Sequence, residues 1–431
     1  MTPSSDPQVN EDDKDNIPHP KDLMFNPWRT VKSKELQDLS AGIISELLDA
    51  LTKGSRPPRR DLVLNVTDIV PSILANLLVL LKDRPQGSRL VVPMRKSKAT
   101  RYDRRGFHKF PAIVTVMIEA GYIIKHDAIY KIKRTTIEPT AKLKALLMRP
   151  EVSLAHVESV AGEETIQLAT RPDERWLYGR KQPNEHLDYV DSSLSYNLRK
   201  EMTEVNSFLN NFSIILEGQP QVPTQLIRLF LIRSKTDPQN FNLHGRLYGG
   251  FWINLKATKR HLIRIDGEPV VDLDFESMFP RLAYHHAGKE APQGDLYAIS
   301  GLEAHRDGVK AGLSALLSRS SDMVRLPPKT KSLLPEGWTA SKFTEAIALH
   351  HPHLVSLFGK DLGLDFMFTE SQILLAAMDE LRRQGIPALP MHDGMMVPVS
   401  KSDLAIEAMR KASMQTIGHE LPVSRKDMSA G

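Results

Sequence analysis

The chain has 431 residues, 41% of them hydrophobic, which is more than one ordinary domain and enough for two or three separate cores. It contains no cysteine, which excludes disulfide frameworks and thiolate metal sites and points to a reducing, cytoplasmic setting. Lys and Arg number 57 against 52 Asp and Glu, so a net charge of +5 does not by itself single out nucleic acid as a partner.

Residues 1–30 are rich in Asp, Pro and Ser, lack the apolar run of a signal peptide, and are expected to form a disordered tail. No later segment reaches the ~18 consecutive apolar residues of a membrane span, so no membrane partner is expected. Leu39, Ile43, Ile44, Leu47, Leu48 and Leu51 recur at helical spacing ahead of Gly54, which predicts a helix over 36–51. A second helix is predicted from Pro71, at its opening position, to Leu81. Between Arg95 and Lys109 lie seven basic residues (Arg95, Lys96, Lys98, Arg101, Arg104, Arg105, Lys109) against the single acid Asp103, a footprint suited to phosphates or to a solvated loop. A helix over Lys109–Ala120 and an alternating hairpin over Tyr122–Ile132 follow. Helices followed by a hairpin wing resemble a winged-helix module, here residues 31–150, in which Arg101, Arg104, Arg105 and Lys109 are DNA-contact candidates. Such modules also serve in protein docking.

Residues 151–235 read as a helical connector. Leu198, Met202, Val205, Phe208, Leu209, Phe212 and Ile215 trace an amphipathic helix ending at Gly218. Val270–Tyr284 then begins as a strand, with Asp272 and Asp274 on one face and Leu273 on the other. A carboxylate near the end of a buried strand is costly unless paired, and a divalent cation is the usual partner, so Asp274 is a candidate metal ligand. Pro387–Val399 flanks His392-Asp393-Gly394 with two apolar strands, Gly394 being the expected turn residue. A hairpin that lifts Asp393 to its tip, facing a strand that ends in Asp274, can hold the two ions of a phosphoryl-transfer site. With 15 His in the chain a His-Asp pair also arises by chance, and order and surroundings must decide.

From Gly245 onward the sequence resembles the palm and fingers of family-A DNA polymerases. Gly245-Arg246-Leu247 is similar to the family's Gly-Arg-Leu segment, which implies that Arg246 reaches the primer-template minor groove. Asp274 to Arg281 resembles motif A, ending the strand in the first metal-binding aspartate. Arg306-Asp-Gly-Val-Lys310 has the Arg-to-Lys spacing of motif B, which implies that Arg306 and Lys310 hold the triphosphate on a fingers helix. The helix from Glu370 to Gln384 and the following His392-Asp393 resemble the last palm helix and motif C, implying DNA contact by His392 and metal binding by Asp393. All four occur in the family's order.

Several positions depart from the family. Motif A reads Asp-Phe-Glu-Ser-Met-Phe-Pro, closer to family B, which puts Phe279 where a flat ring would exclude a ribose 2′ hydroxyl. Ser314 and Ser318 stand where motif B carries aromatics, and Gly394 stands where motif C of replicative members carries Glu. The interval between Asp274 and Asp393 is short, so the fingers are expected to be reduced.

The resulting expectation is an α+β chain: a winged-helix-like α/β module, a helical thumb-like segment, and a palm with reduced fingers over 236–431. Its implied activity is template-directed DNA synthesis from dNTPs on a primer-template, without proofreading, using two Mg²⁺ or Mn²⁺ ions. A phage, plasmid or other mobile element could use it for replication or repair. The alternatives are a single-subunit RNA polymerase or primase, which Gly394 permits and Phe279 opposes, and an inactive palm-fold DNA-binding protein.

Overall fold

The computed structural model describes residues 22–52, 59–94, 100–129, 134–171, 176–177, 180–181, 184–218 and 224–426, in a mixed α/β arrangement with several sheets. Arg95, Lys96 and Lys98 of the basic stretch lie outside the described residues. The chain divides into two compact units, the first reaching Glu163 and the second beginning at Glu164.

In the first unit the chain is folded from Asp22 on, inside the segment expected to be tail. Strands β1 (Leu23–Met24) and β2 (Arg29–Val31) form there because Leu23, Trp28 and Val31 are buried anchors. Helix α1 (Lys34–Thr52) buries Leu36, Ile43 and Leu47 along one face, as the spacing predicts. Helix α2 (Arg60–Asp83) differs from expectation: Pro71 lies inside it rather than at its opening. An interior proline removes a hydrogen bond and crowds the preceding turn. Burial outweighs that cost here, since Val66, Ile69, Val70, Ile73, Leu74, Leu77 and Leu78 are all 0% exposed. By length and composition α2 is apolar enough to cross a membrane, but 67% of that window is buried within the protein.

Next come β3 (Leu90–Val91), α3 (Phe110–Glu119), β4 (Ile123–His126), β5 (Thr136–Pro139), α4 (Ala141–Leu147) and β6 (Val157–Ser159). The main sheet of this unit has the order β1-β3-β5-β4, and β6 pairs with β2. The hairpin expected within Tyr122–Ile132 has a later return strand: β4 pairs antiparallel with β5, bringing buried Ile123 and Ile137 into one ladder. Val152, Leu154 and Val157 are buried in the same core, so residues 151–163 belong to this unit rather than to a connector.

The second unit opens with β7 (Ile166–Thr170), β8 (Trp176–Leu177), β9 (Arg180–Lys181), β10 (Glu185–His186), α5 (Ser193–Leu209), β11 (Ile214–Leu216), β12 (Ile227–Ile232) and β13 (His244–Tyr248). The helical connector expected over 151–235 is therefore helical only in α5, which a Ser192/Ser195 capping box starts and which stops at Leu209. Ile214 and Ile215, expected in that helix, lie in β11. Parallel pairing of β12 with β7 builds a sheet of order β10-β7-β12-β13, a long-range pairing that local periodicity does not reveal.

The remaining elements are β14 (Ile263–Ile265), β15 (Glu268–Phe275), α6 (Met278–His286), α7 (Arg306–Ser318), α8 (Pro328–Leu333), α9 (Ala340–His350), α10 (Gly363–Arg383), β16 (Leu389–Met391), β17 (Gly394–Pro398), α11 (Ser402–Ile417) and β18 (Val423–Lys426). A second sheet runs β11-β14-β15-β17-β16, with β18 also paired to β15. Leu273, Met395, Met396 and Val397 are fully buried in this sheet, and α10 packs against β13 and α11. Strand β15 is thus clamped by neighbours along both edges, which fixes the direction of each of its side chains.

Candidate active site

Asp274 sits near the end of β15, directly across from Gly394 on β17. The two-residue link between β16 and β17 is His392-Asp393, and the Phe275 N–H donates to the Asp393 carbonyl at 3.1 Å. The hairpin therefore carries Asp393 to the end of β15, beside Asp274. Gly394 is not the turn residue expected from sequence; it is the first residue of β17, and its φ is not positive. A Cβ there would lie 2.2 Å from the Leu273 carbonyl oxygen and 2.5 Å from Asp274 Oδ1. Close strand approach explains this glycine.

Burial pushes the Asp274 carboxyl up to about 6, and the Asp393 charge adds to the rise. Lys426 on β18 opposes that rise, with Nζ 2.5 Å from Asp274 Oδ2. Asp272, on the same face two residues earlier, is taken by Arg260 at 3.0 Å. Among the described residues no group of three or more His, Asp or Glu side chains could hold a metal ion. The Asp274–Asp393 pair offers two hard oxygen donors in a partly buried setting. Mg²⁺ suits such a set, because it takes one or two carboxylates and fills its other positions with water and phosphate oxygens.

Arg246, on β13, donates through Nε and Nη2 to both oxygens of Glu370 on α10, at 2.7 and 2.9 Å. Burial pushes the Glu370 carboxyl up to about 7 against the pull of Arg246, with Asp393 and Asp274 adding to the rise. The Arg246 guanidinium carbon stands 5.9 Å from the centre of the Phe279 ring, which also meets Phe366 edge-on at 5.9 Å. Phe279 is half-buried near the start of α6, which begins at Met278 after Ser277 in the left-handed region.

His392 is half-buried with φ +46°, and its buried Nδ1 has no hydrogen-bond partner among the described residues. Burial and then the Arg246 charge lower its basicity, keeping the ring neutral at ordinary pH. Arg306 begins α7 and binds both oxygens of Asp295, at 2.6 and 3.0 Å, while covering the Tyr297 ring at 5.1 Å. Asp295 also accepts from Ser277 Oγ and from the Tyr297 N–H. Burial raises the Tyr297 phenol above its ordinary value, and Asp393 adds to it. Lys310, one turn along α7, is exposed and pairs with no carboxylate among the described residues.

The second unit thus gathers Asp274, Asp393, Arg246, Phe279 and His392, with Arg306 and Lys310 together on α7. The other DNA-contact candidates are in the first unit. Arg104 is not a free cation there: it donates to the Pro27 carbonyl at 2.9 Å and to Asp68 at 3.1 Å, and covers the Phe107 ring. Arg101 is half-buried, and Arg105 and Lys109 are exposed.

Sequence reasoning missed Glu370, Arg260, Asp295, Tyr297 and Lys426. Glu370 had a signal, because it shares the apolar face of α10 with Phe366, Ile373, Leu374 and Ala377, where an acid needs a buried partner. The others depend on contacts between distant segments.

No protein-family model matches the chain, and no curated protein matches it. Matching solved structures include the POL domain of Pol1 from M. smegmatis in complex with DNA primer-template and dNTP, at 9% sequence identity and a TM-score of 0.31, covering 92% of this chain and 66% of that one. At that identity and score no residue role passes from one chain to the other.

Proposed function

We propose that the chain is a template-directed DNA polymerase without proofreading, transferring a nucleotidyl group from a dNTP to a primer 3′ hydroxyl and releasing pyrophosphate. The observation that carries this reading is the meeting of Asp274 and Asp393 at the junction of β15 and β17. The motif order of the sequence agrees with it. In this reading residues 236–431 form a palm with reduced fingers and the first unit a winged-helix-like DNA-binding module.

Asp274 and Asp393 would hold two Mg²⁺ ions, or Mn²⁺ in their place. When bound, such ions stabilise the attacking and leaving oxygens of an in-line displacement. The other roles belong to the chain itself. Glu370 fixes the Arg246 fork, leaving Nη1 to face the primer terminus. His392, at the hairpin tip, meets the primer strand. Lys310 meets the triphosphate as a point charge, while Arg306 must exchange Asp295 for phosphate oxygens. Exposed Arg105 and Lys109, with Arg101, supply phosphate contacts from the first unit.

Extension of a labelled primer on a DNA template with dNTPs and Mg²⁺ tests the reading. Elongation that stops on chelation is expected; no elongation with any metal would overturn it. Lys310→Ala is expected to raise the apparent KM for dNTP roughly tenfold and to lower turnover, because a triphosphate loses a cation that neutralises it. Primer-template affinity, measured by anisotropy, should stay unchanged; a large loss there would reassign Lys310 to the duplex.

Phe279 decides which sugar is accepted. Its ring is braced by Phe366 and Arg246, so it cannot easily turn aside for a 2′ hydroxyl. Phe279→Ala is expected to reduce discrimination against rNTPs by roughly a hundredfold while leaving most dNTP turnover. Equal use of dNTPs and rNTPs by the unaltered protein would remove the gate and favour the RNA polymerase alternative.

A further inference from the structure

The ion pair at Asp274 comes from the C-terminal strand. Strand β18 pairs with β15 along the edge opposite β17, setting Lys426 across from Asp272 and Ser424 across from Asp274. Arg260 already holds Asp272, so the Lys426 side chain runs along the strand to Asp274 instead. The two partners differ in freedom: the Asp274 side chain is 12% exposed and that of Lys426 is 47% exposed. The carboxylate is fixed by its strand, whereas the ammonium can swing into water on its flexible stem.

We propose that Lys426 is a positioning residue that aims the Asp274 carboxylate in the metal-free protein, and that it competes with the incoming divalent cation for Oδ2. The proposal rests on the reading of Asp274 and Asp393 as metal ligands. With Nζ at 2.5 Å, the lone pairs of Oδ2 on that side are occupied and no cation can share them. The ammonium also weakens the negative potential that draws a cation to the pair. A divalent ion facing both carboxylates brings twice the charge, so exchange is favourable once it arrives. Lys426 thereby keeps two neighbouring carboxylates from repelling one another before metal binds, at some loss of metal affinity.

Mn²⁺ titration followed by the paramagnetic resonance of the free ion tests this on the full chain, using the unaltered protein, Lys426→Met, Lys426→Arg and Asp274→Asn. Lys426→Met is expected to bind Mn²⁺ about tenfold more tightly, as for a site freed from a competitor that fills it nine-tenths of the time. Lys426→Arg should stay near the unaltered affinity, and Asp274→Asn should lose binding. If Lys426→Met binds no more tightly while Asp274→Asn has lost the ion, Lys426 is only a structural partner and the proposal is overturned, with the metal site intact. If Asp274→Asn binds Mn²⁺ as the unaltered protein does, the metal-ligand reading fails and takes the proposal with it. Should Lys426→Met not fold, as judged by circular dichroism, Lys426→Gln is read by the same criteria.

Discussion

Asp274→Asn and Asp393→Asn are each expected to lower primer extension by at least about a thousandfold, because on the proposed reading each would remove a charged oxygen ligand from the site that neutralises the transferring phosphate. Neither should unfold the protein. Asp274 has its ordinary value at 3.8 and is held at about 6 in the fold, first by burial and then by Asp393. A carboxyl raised in the folded state makes ionisation more costly there than in the unfolded chain. That cost grows as pH rises from the ordinary value through about 6, and is complete at neutral pH. Asparagine removes the charge and the cost together, offset by the lost pairing with Lys426. Thermal melting at neutral pH should therefore show Asp274→Asn within a few degrees of the unaltered protein. Undiminished extension by either variant would show that the pair is not the reacting centre; loss of extension together with collapse of the melt would make it a folding site instead.

Gly394→Ala should damage stability and activity together. A methyl group at this position meets the Leu273 carbonyl and Asp274 Oδ1 well inside contact distance, and the Leu273 carbonyl, being backbone, cannot swing aside. The strand β17 must then back away from β15, at a cost of about 1–3 kcal/mol for overpacking a well-filled site. Such a shift also moves Asp274 relative to Asp393, and a displacement of about 1 Å at a reacting centre costs roughly a hundredfold in rate. Urea unfolding and extension assays should both register the change. A variant as stable and as active as the unaltered protein would mean that β15 and β17 do not approach as closely as described.

The features legible in the sequence were those with local causes. The apolar spacing of Ile43 and Leu47 marked α1, and Val270, Val271 and Leu273 marked the strand that raises Asp274. The apolar runs flanking His392-Asp393 marked the β16–β17 hairpin. Pro71 misled because a local rule against interior proline yields to the burial of a whole helix face. Ile215 misled because an apolar residue after a helix serves a strand as readily as another turn. The role of Gly394 was hidden, since nothing nearby in sequence announces that Leu273 and Asp274 lie against it. Glu370 could have been suspected from its apolar face, but its partner Arg246 lies on a distant strand. Lys426 carried no signal at all, because β18 acquires its meaning only from its register on β15.

If this site copies a template, the next template base must govern which nucleotide is added. Single-nucleotide addition tests it most directly: a primer annealed to templates that differ only in the next base is offered one dNTP at a time with Mg²⁺. The account predicts that each template selects its complementary dNTP, that Asp274→Asn and Asp393→Asn add none, and that an unannealed primer is not extended. Addition that ignores the template base, or no addition by the unaltered protein under conditions where the primer-template is bound, would contradict it.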